Sequence, residues 1–259
     1  MRLERAVAVA GVLVALSAGT VEAQGSVWGK SWAGGADLPL PFGVGLTVYE
    51  QHQGYELDRL VVGIPGFGSL PTEAIGIENR TREVNLKLDA WLLPFLNAFV
   101  IFGELDGRTV VDFSEVPLPF PLGRVSIDYD GEVYGGGVVL AFGTERLFAS
   151  LTPVWTRTSL SGDFESDAEA FVVAPRFGLH DERGSVWLGA MYQSAEESHA
   201  GIIALPFVGA VPFAVELSES DAWNGLVGLA VELDSHWNLE LEGGFGDRKA
   251  ATVSVTWRF

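Results

Sequence analysis

From Trp223 to the C-terminus the chain alternates apolar and polar residues with a period of two. Trp223, Val227, Leu229, Val231 and Leu233 share one parity, and Asn224, Gly228, Ala230 and Glu232 share the other. Successive side chains of a strand point to opposite faces, so a segment of this kind is a strand with one apolar and one polar side. The next segment sets Leu239, Leu241 and Phe245 against Asn238, Glu240 and Glu242. The last sets Val253, Val255, Trp257 and Phe259 against Thr252, Ser254, Thr256 and Arg258. Only Asp234-Ser235-His236-Trp237 separates the first two, which makes them a hairpin.

Reading back toward the N-terminus, the same pattern predicts ten strands, roughly over 42–52, 82–93, 98–105, 127–142, 147–158, 167–180, 185–195, 222–233, 237–246 and 250–259. Counts of eight to twelve fit the pattern as well, because alternation is a weak signal per strand. Short turns at 94–97, 143–146, 181–184 and 234–237 alternate with longer connections. Apolar runs that could cross a bilayer as helices are interrupted: 90–103 by Pro94 and Asn97, and 201–215 by Pro206 and Pro212. A chain that spans lipid without helices closes its backbone hydrogen bonds between strands, as a barrel without free edges. The expected fold is therefore all-β, a transmembrane antiparallel β-barrel.

The last strand, with Val255, Trp257 and a terminal Phe259, resembles the assembly signal of Gram-negative outer-membrane β-barrels. The resemblance is to that class of proteins. It implies short turns in the periplasm, long loops outside, recognition of the C-terminal strand by the barrel assembly machinery, and a setting of outer-membrane lipid and lipopolysaccharide.

The N-terminus agrees with that address. Arg2 and Arg5 precede the uncharged run from Ala6 to Leu16, and Val21-Glu22-Ala23 places small residues where signal peptidase needs them. The expectation is a signal peptide over 1–23, an N-terminal periplasmic segment over 24–41 carrying Trp28, Trp32 and Gly34-Gly35, and the barrel over 42–259. There is no cysteine, so neither an N-terminal lipid anchor nor a disulfide nor a thiolate metal site is available.

Charge and motifs narrow the function. A formal net charge of −18 repels nucleic acid and excludes it as a partner. No loop carries calcium-ligand spacing, and no phosphate-cradling or dinucleotide fingerprint is present, so no cofactor or metal is expected. Of four histidines, His180 and His236 fall at the short turns, and His52 and His199 fall near the opposite rim without a positioned carboxylate or serine. The chain is not expected to be an enzyme, and an outer-rim hydrolase using His52 or His199 is the least favoured reading.

If the apolar rows face lipid throughout, the polar rows line the lumen. That expectation assigns Lys87, Asp89, Glu104, Asp128, Asp130, Glu132, Arg176, Glu232, Glu240, Glu242 and Arg258 to the interior, as a cation-leaning lining or as ion pairs that fill a narrow barrel. Aromatic residues near strand ends, among them Trp91, Phe148, Trp155, Trp187, Trp223 and Trp237, are expected to form two girdles at the bilayer interfaces. Three proline-rich apolar segments, 60–71, 116–122 and 202–213, are expected as outer loops packed over the barrel mouth. Together these imply passive passage or binding of a small, partly hydrophobic solute. The alternative is a non-conducting structural or surface-interaction barrel.

Overall fold

The computed structural model describes residues 26–33, 39–62, 74–116, 123–162, 166–205, 209–219 and 222–259. The proposed signal peptide, Gly34-Gly35 and the central parts of the three proline-rich segments lie outside the described residues.

Eleven antiparallel strands form one sheet: β1 (Phe42–Val62), β2 (Gly76–Leu93), β3 (Leu96–Asp112), β4 (Arg124–Gly143), β5 (Leu147–Gly162), β6 (Ser166–Asp181), β7 (Gly184–Leu205), β8 (Gly209–Glu219), β9 (Trp223–Glu232), β10 (Trp237–Phe245) and β11 (Arg248–Arg258). The sheet closes where β11 pairs with β1, from Gly43 opposite Arg258 up to Gln53 opposite Arg248. All strands but β8 make this ten-stranded circuit. Phe259 completes it by exchanging two backbone hydrogen bonds with Phe42. With no edge left, every strand satisfies its backbone inside the wall, which lipid requires.

The ends of the strands at the short turns fall close to where the alternation placed them, and three of the four turns have their own polar cap. Asp234 accepts from the backbone N–H groups of His236 and Trp237, Asp181 from those of Arg183 and Gly184, and Thr144 Oγ1 from that of Leu147. At the opposite end the strands run further than the alternation suggested. β2 begins at Gly76 rather than near 82, and β7 continues to Leu205 rather than 195. The segment 202–213, expected as a loop, is instead the tip of β7 and the start of β8, flanking 206–208.

β8 pairs with β7 from Leu205 opposite Gly209 to Glu197 opposite Leu217, and with β1 from Val62 opposite Phe213 to Tyr55 opposite Glu219. Pro212 lies one residue past the last β1 pair, where the missing N–H costs no bond to that strand. At this level the single strand β8 joins β7 to β1, a task that β9, β10 and β11 share below. Together β1 to β8 form a second closed circuit of eight strands. Because barrel diameter grows with strand number, the wall narrows toward the loop end. At the junction Gln53 Oε1 accepts from Arg248 Nε at 2.7 Å and from Gln51 Nε2 at 3.2 Å, a buried polar clasp where β11 ends and β8 takes over.

The outer surface explains the long strands. An apolar belt is presented by Leu46, Val100, Leu151, Leu188, Leu229 and Val253 and their neighbours, with Phe42, Phe142, Trp237 and Phe259 exposed at its short-turn edge. At its upper edge on β1 to β6 an outward apolar residue is followed two positions further up by a charge: Val48 by Glu50, Val84 by Arg82, Phe102 by Glu104, Tyr134 by Glu132, Trp155 by Arg157 and Phe171 by Glu169. The belt therefore ends at one height, and the wall above it stands in water. Exposed ion pairs decorate that upper wall, including Arg82 with Glu50, Arg108 with Asp128, and Arg157 with Asp167. Inside it, Ile75, Ile77 and Val116 form a small core with Tyr55, Val111 and Phe113. Facing is inverted between the two tiers: apolar side chains point out within the belt and in above it.

The N-terminal segment meets the barrel at the short-turn end, where the backbone N–H groups of Val27 and Trp28 donate to the carbonyls of Trp91 and Leu92. Residues Lys30–Ala33 form a single 3-10 turn there.

Two outcomes check this architecture. Leu229 lies midway along the outward row of β9, so Leu229→Arg is expected to cost about 2–4 kcal/mol in urea unfolding from lipid vesicles; a neutral result would contradict the belt. At the tip of β3 the Ser114 hydroxyl, the Arg124 guanidinium and the Ser114 N–H hold the Asp112 carboxyl down from 3.8 to about 2. A depressed carboxyl stabilises the fold above its ordinary value and loses that contribution as pH falls through the folded one. Protection of the Ser114 amide, taken relative to the intrinsic exchange rate at each pH, is thus expected to fall between about pH 4 and pH 2 and to be constant above, and Asp112→Asn removes that fall.

Candidate functional site

The interior is divided into a filled floor in the belt and an open chamber above it. The floor is built from long side chains that meet over glycines. Arg176 on β6 donates to both carboxylate oxygens of Glu242 on β10, at 2.6 and 2.8 Å, and to Thr152 Oγ1 on β5 at 3.2 Å. Glu242 also accepts from the indole Nε1–H of Trp187 on β7 at 2.6 Å. In register, Gly228 of β9 lies directly between Trp187 and Glu242, and Gly189 of β7 lies directly beside Arg176. A Cβ on Gly228 would stand inside the indole ring, and one on Gly189 would stand 3.1 Å from Arg176 Cγ. These two glycines are the space through which the three side chains reach each other. Phe148 packs edge-on against Trp187 with ring centroids 6.4 Å apart and against His180 at 6.2 Å.

The opposite wall repeats the device. Gly43 of β1 lies in register between Asp89 of β2 and Arg258 of β11, and the Asp89 carboxylate fills the place a Cβ on Gly43 would take. Asp89 accepts from Arg258 Nη1 at 3.0 Å and from Asn97 Nδ2 at 2.7 Å. Lys87, one inward position above, lies over the ring of Phe99 at 5.9 Å, and Phe99 in turn leans into the gap left by Gly137.

Above the floor lies a chamber of about 400 Å³. Ile101, Leu105, Ile127, Val154, Leu160 and Val172 belong to its apolar lining, and threonines at 47, 81, 109, 156, 158 and 252 supply scattered hydroxyls. Tyr129 crosses Gly107 to meet the amide of Asn79, which also donates to Thr109 Oγ1 at 2.8 Å. Glu83 stands at the lower edge of the chamber, opposite Tyr49 on β1 and Leu105 on β3, and accepts from Asn85 Nδ2 at 3.0 Å.

Of the eleven residues assigned to the lumen by alternation, Asp89, Arg176, Glu242 and Arg258 meet in the floor, Lys87 and Glu240 share its inward face, and Glu232 lies exposed at the short-turn rim. Glu104, Asp128, Asp130 and Glu132 are not in the lumen. They project from the outer face of β3 and β4, while their neighbours Leu105, Ile127, Tyr129 and Val133 point inward. The rule that polar rows face the lumen holds only where the outside is lipid, and these four stand above the belt. Trp187 and Phe148, expected in the aromatic girdles, face inward. Trp187 is 7% exposed and is a floor residue. The signal that marks it is the outward parity of Val186 and Leu188 beside it, 52% and 67% exposed. Trp91 is likewise turned in, with its indole nitrogen buried. Girdle positions on the outer face are held by Trp155, Trp223 and Trp237, with Trp155 edge-on to Tyr134 and Trp223 against Tyr192.

The histidines do not assemble a reactive group among the described side chains. His52 is exposed on the outer row of β1, His180 donates to the Thr144 carbonyl at 2.7 Å, and His236 sits in its turn beside Ser235. His199 holds a register position opposite Val215 on β8. No group of acidic or histidine side chains with metal-binding geometry occurs among the described residues.

No family model matches the chain, and no curated protein matches it by sequence. Solved structures similar to it include the transport unit of the autotransporter AIDA-I from Escherichia coli, at 8% identity and TM-score 0.44 over 85% of this chain and 90% of that one. The translocator domain of the autotransporter NalP from Neisseria meningitidis aligns at 11% identity and TM-score 0.40, over 89% and 92% of the two chains. The toluene transporter TbuX from Ralstonia pickettii aligns at 7% and 0.35, over 86% and 90%.

The energetic role of the floor has a direct test. Arg176 and Glu242 are both largely buried, at 19% and 9% side-chain exposure, so removing one partner strands the other. Glu242→Ala is expected to cost on the order of 3 kcal/mol in urea unfolding, and the double variant Arg176→Met with Glu242→Leu to recover most of it.

Proposed function

We propose that this protein is an outer-membrane barrel that binds a small, largely apolar solute in its upper chamber, and that the ion-paired floor holds the path beneath it closed. The observation that carries the reading is the contrast within one lumen. The lower half is occupied by hydrogen-bonded charged and aromatic side chains, while the upper half is an apolar, hydroxyl-studded space of about 400 Å³. Chambers of several hundred cubic ångströms with mostly apolar walls and a few polar groups suit small ligands. At ~30 Å³ per water the space corresponds to about thirteen waters, or a solute of about a dozen heavy atoms.

In this reading the long-loop end faces the medium and the short turns face the periplasm. The leader is removed after Ala23, and the β11 strand with Val255, Trp257 and Phe259 is what the assembly machinery engages. Lipopolysaccharide surrounds the charged upper wall, and catalysis has no part. The ion-paired floor also favours a second reading, a non-conducting structural barrel whose interior serves stability alone.

Conductance and binding separate them. Purified protein in planar bilayers is expected to show no steady ohmic pore, and Arg176→Ala with Glu242→Ala and Trp187→Ala to open one. In nanodiscs, calorimetry is expected to show one site per chain for a small aromatic alcohol such as benzyl alcohol. Stable conductance by the unmodified chain would overturn the closed floor, and absence of binding at millimolar solute would leave the structural reading standing.

A further inference from the structure

Among the described residues, the chamber contains a carboxylate without a counter-charge. Glu83 lines the cavity beside Asn85, its hydrogen-bond donor, and forms no ion pair among the described residues. The cations nearest in sequence and register are placed elsewhere. Arg82, next in sequence, points outward to Glu50, and Lys87 lies two inward positions lower over Phe99. Arg248 is held in the wall by Gln53, four positions up β1 from Tyr49. No lysine or arginine contributes to the cavity lining. The other lining carboxylate, Glu169, belongs to the outward row and faces Arg157. A carboxylate in an apolar space either takes up a proton or gains a counter-charge, and this site is open to a cation from solution that would supply one.

Three tyrosines, Tyr49, Tyr55 and Tyr129, share the lining, and Tyr49 is the register partner of Glu83. A carboxylate beside aromatic faces and aliphatic walls is the surrounding that an organic ammonium with an apolar body prefers over water. We infer that the solute of this chamber is an amphipathic organic cation, its ammonium on Glu83 and its apolar body against Leu105, Ile101 and Leu160. The inference rests on the upper chamber being a solute site, as proposed above. Exposed acidic groups around the upper wall, Glu104, Asp106 and Glu132 among them, enrich cations at its approach.

The experiment compares four probes by calorimetry on the full barrel in nanodiscs: benzylamine, benzyl alcohol, benzoate and methylamine. Benzylamine is expected to bind about tenfold or more tightly than benzyl alcohol, the order given by a hydrogen bond to a charged group. Benzoate and methylamine are expected to bind more weakly than either. Glu83→Gln, which keeps the acceptor for Asn85, is expected to bring benzylamine to the affinity of the alcohol while leaving the alcohol unchanged. Leu105→Lys, which places an ammonium directly across from Glu83, is expected to abolish the preference by a second route if Glu83→Gln fails to fold. Equal affinity for amine and alcohol, or an amine preference that survives both substitutions, overturns the cation assignment while the solute site stands. Methylamine binding as tightly as benzylamine overturns the requirement for an apolar body. Failure of all four probes to bind overturns the solute site itself.

Discussion

Everything in this molecule follows from the requirement that no backbone hydrogen bond be left open to lipid. The pairing of β11 with β1 over eleven register positions satisfies it, and Phe259 meets Phe42 at the seam so that the wall has no frayed end. Once the circuit is closed, parity is fixed around the whole barrel, since a one-residue slip would reverse every side chain on a strand. The interior and exterior sets are then determined together. That is why a C-terminal row as short as Val253, Val255, Trp257 and Phe259 constrains positions as distant as Gly43 and Asp89 through the strands between them.

Parity was legible in the sequence, but which parity faces inward depends on where the bilayer stops. Within the belt the alternation around Leu229 or Val253 gives the facing directly. Above it the medium outside changes from acyl chains to water, and the preference of each face reverses. Glu104 and Leu105, or Asp128 and Ile127, therefore exchange the sides they would have lower down. The height of the changeover is recorded in the sequence as an aromatic or aliphatic residue two positions from a charge, as in Phe102 and Glu104 or Trp155 and Arg157. The signal becomes visible only when several strands are placed side by side. β8 escaped detection for a related reason. Its apolar residues serve a wall that stands outside the membrane, and a single Pro212 gives it the look of a loop although that proline lies beyond the pairing with β1.

The floor shows a different limit. Arg176, Glu242 and Asp89 carry charge that any alternation analysis places inward, yet their meeting is decided by residues that carry no side chain. Gly228 and Gly189 on one wall and Gly43 on the other let side chains from flanking strands touch across an intervening one. A glycine inside a strand ordinarily weakens it, so each of these positions gives up some sheet stability for a contact three or four strands wide. Recognising them needs the register of three strands at once, information that the one-dimensional pattern of any single strand lacks. Trp187 illustrates the consequence. Its composition suggests a girdle, and only the gap at Gly228 makes room for it inside.

The acidic character of the chain acts at two ranges, and the structure separates them. Carboxylates on the outer face of the upper wall are in water and partly matched by arginines, and their field fades over a Debye length of about 8 Å in physiological salt. Such groups influence which solutes approach and how fast, in a way that salt weakens. Glu83 is inside, where the surroundings are aliphatic and hydroxylic, so in the proposed reading its contribution would be to the affinity of a solute already in the chamber. Paired charge below Glu83 in the floor contributes to neither, because Glu242 and Asp89 already hold Arg176 and Arg258. A net charge of −18 is thus not one property but three, and in the proposed reading the part that selects a ligand is Glu83 rather than the total.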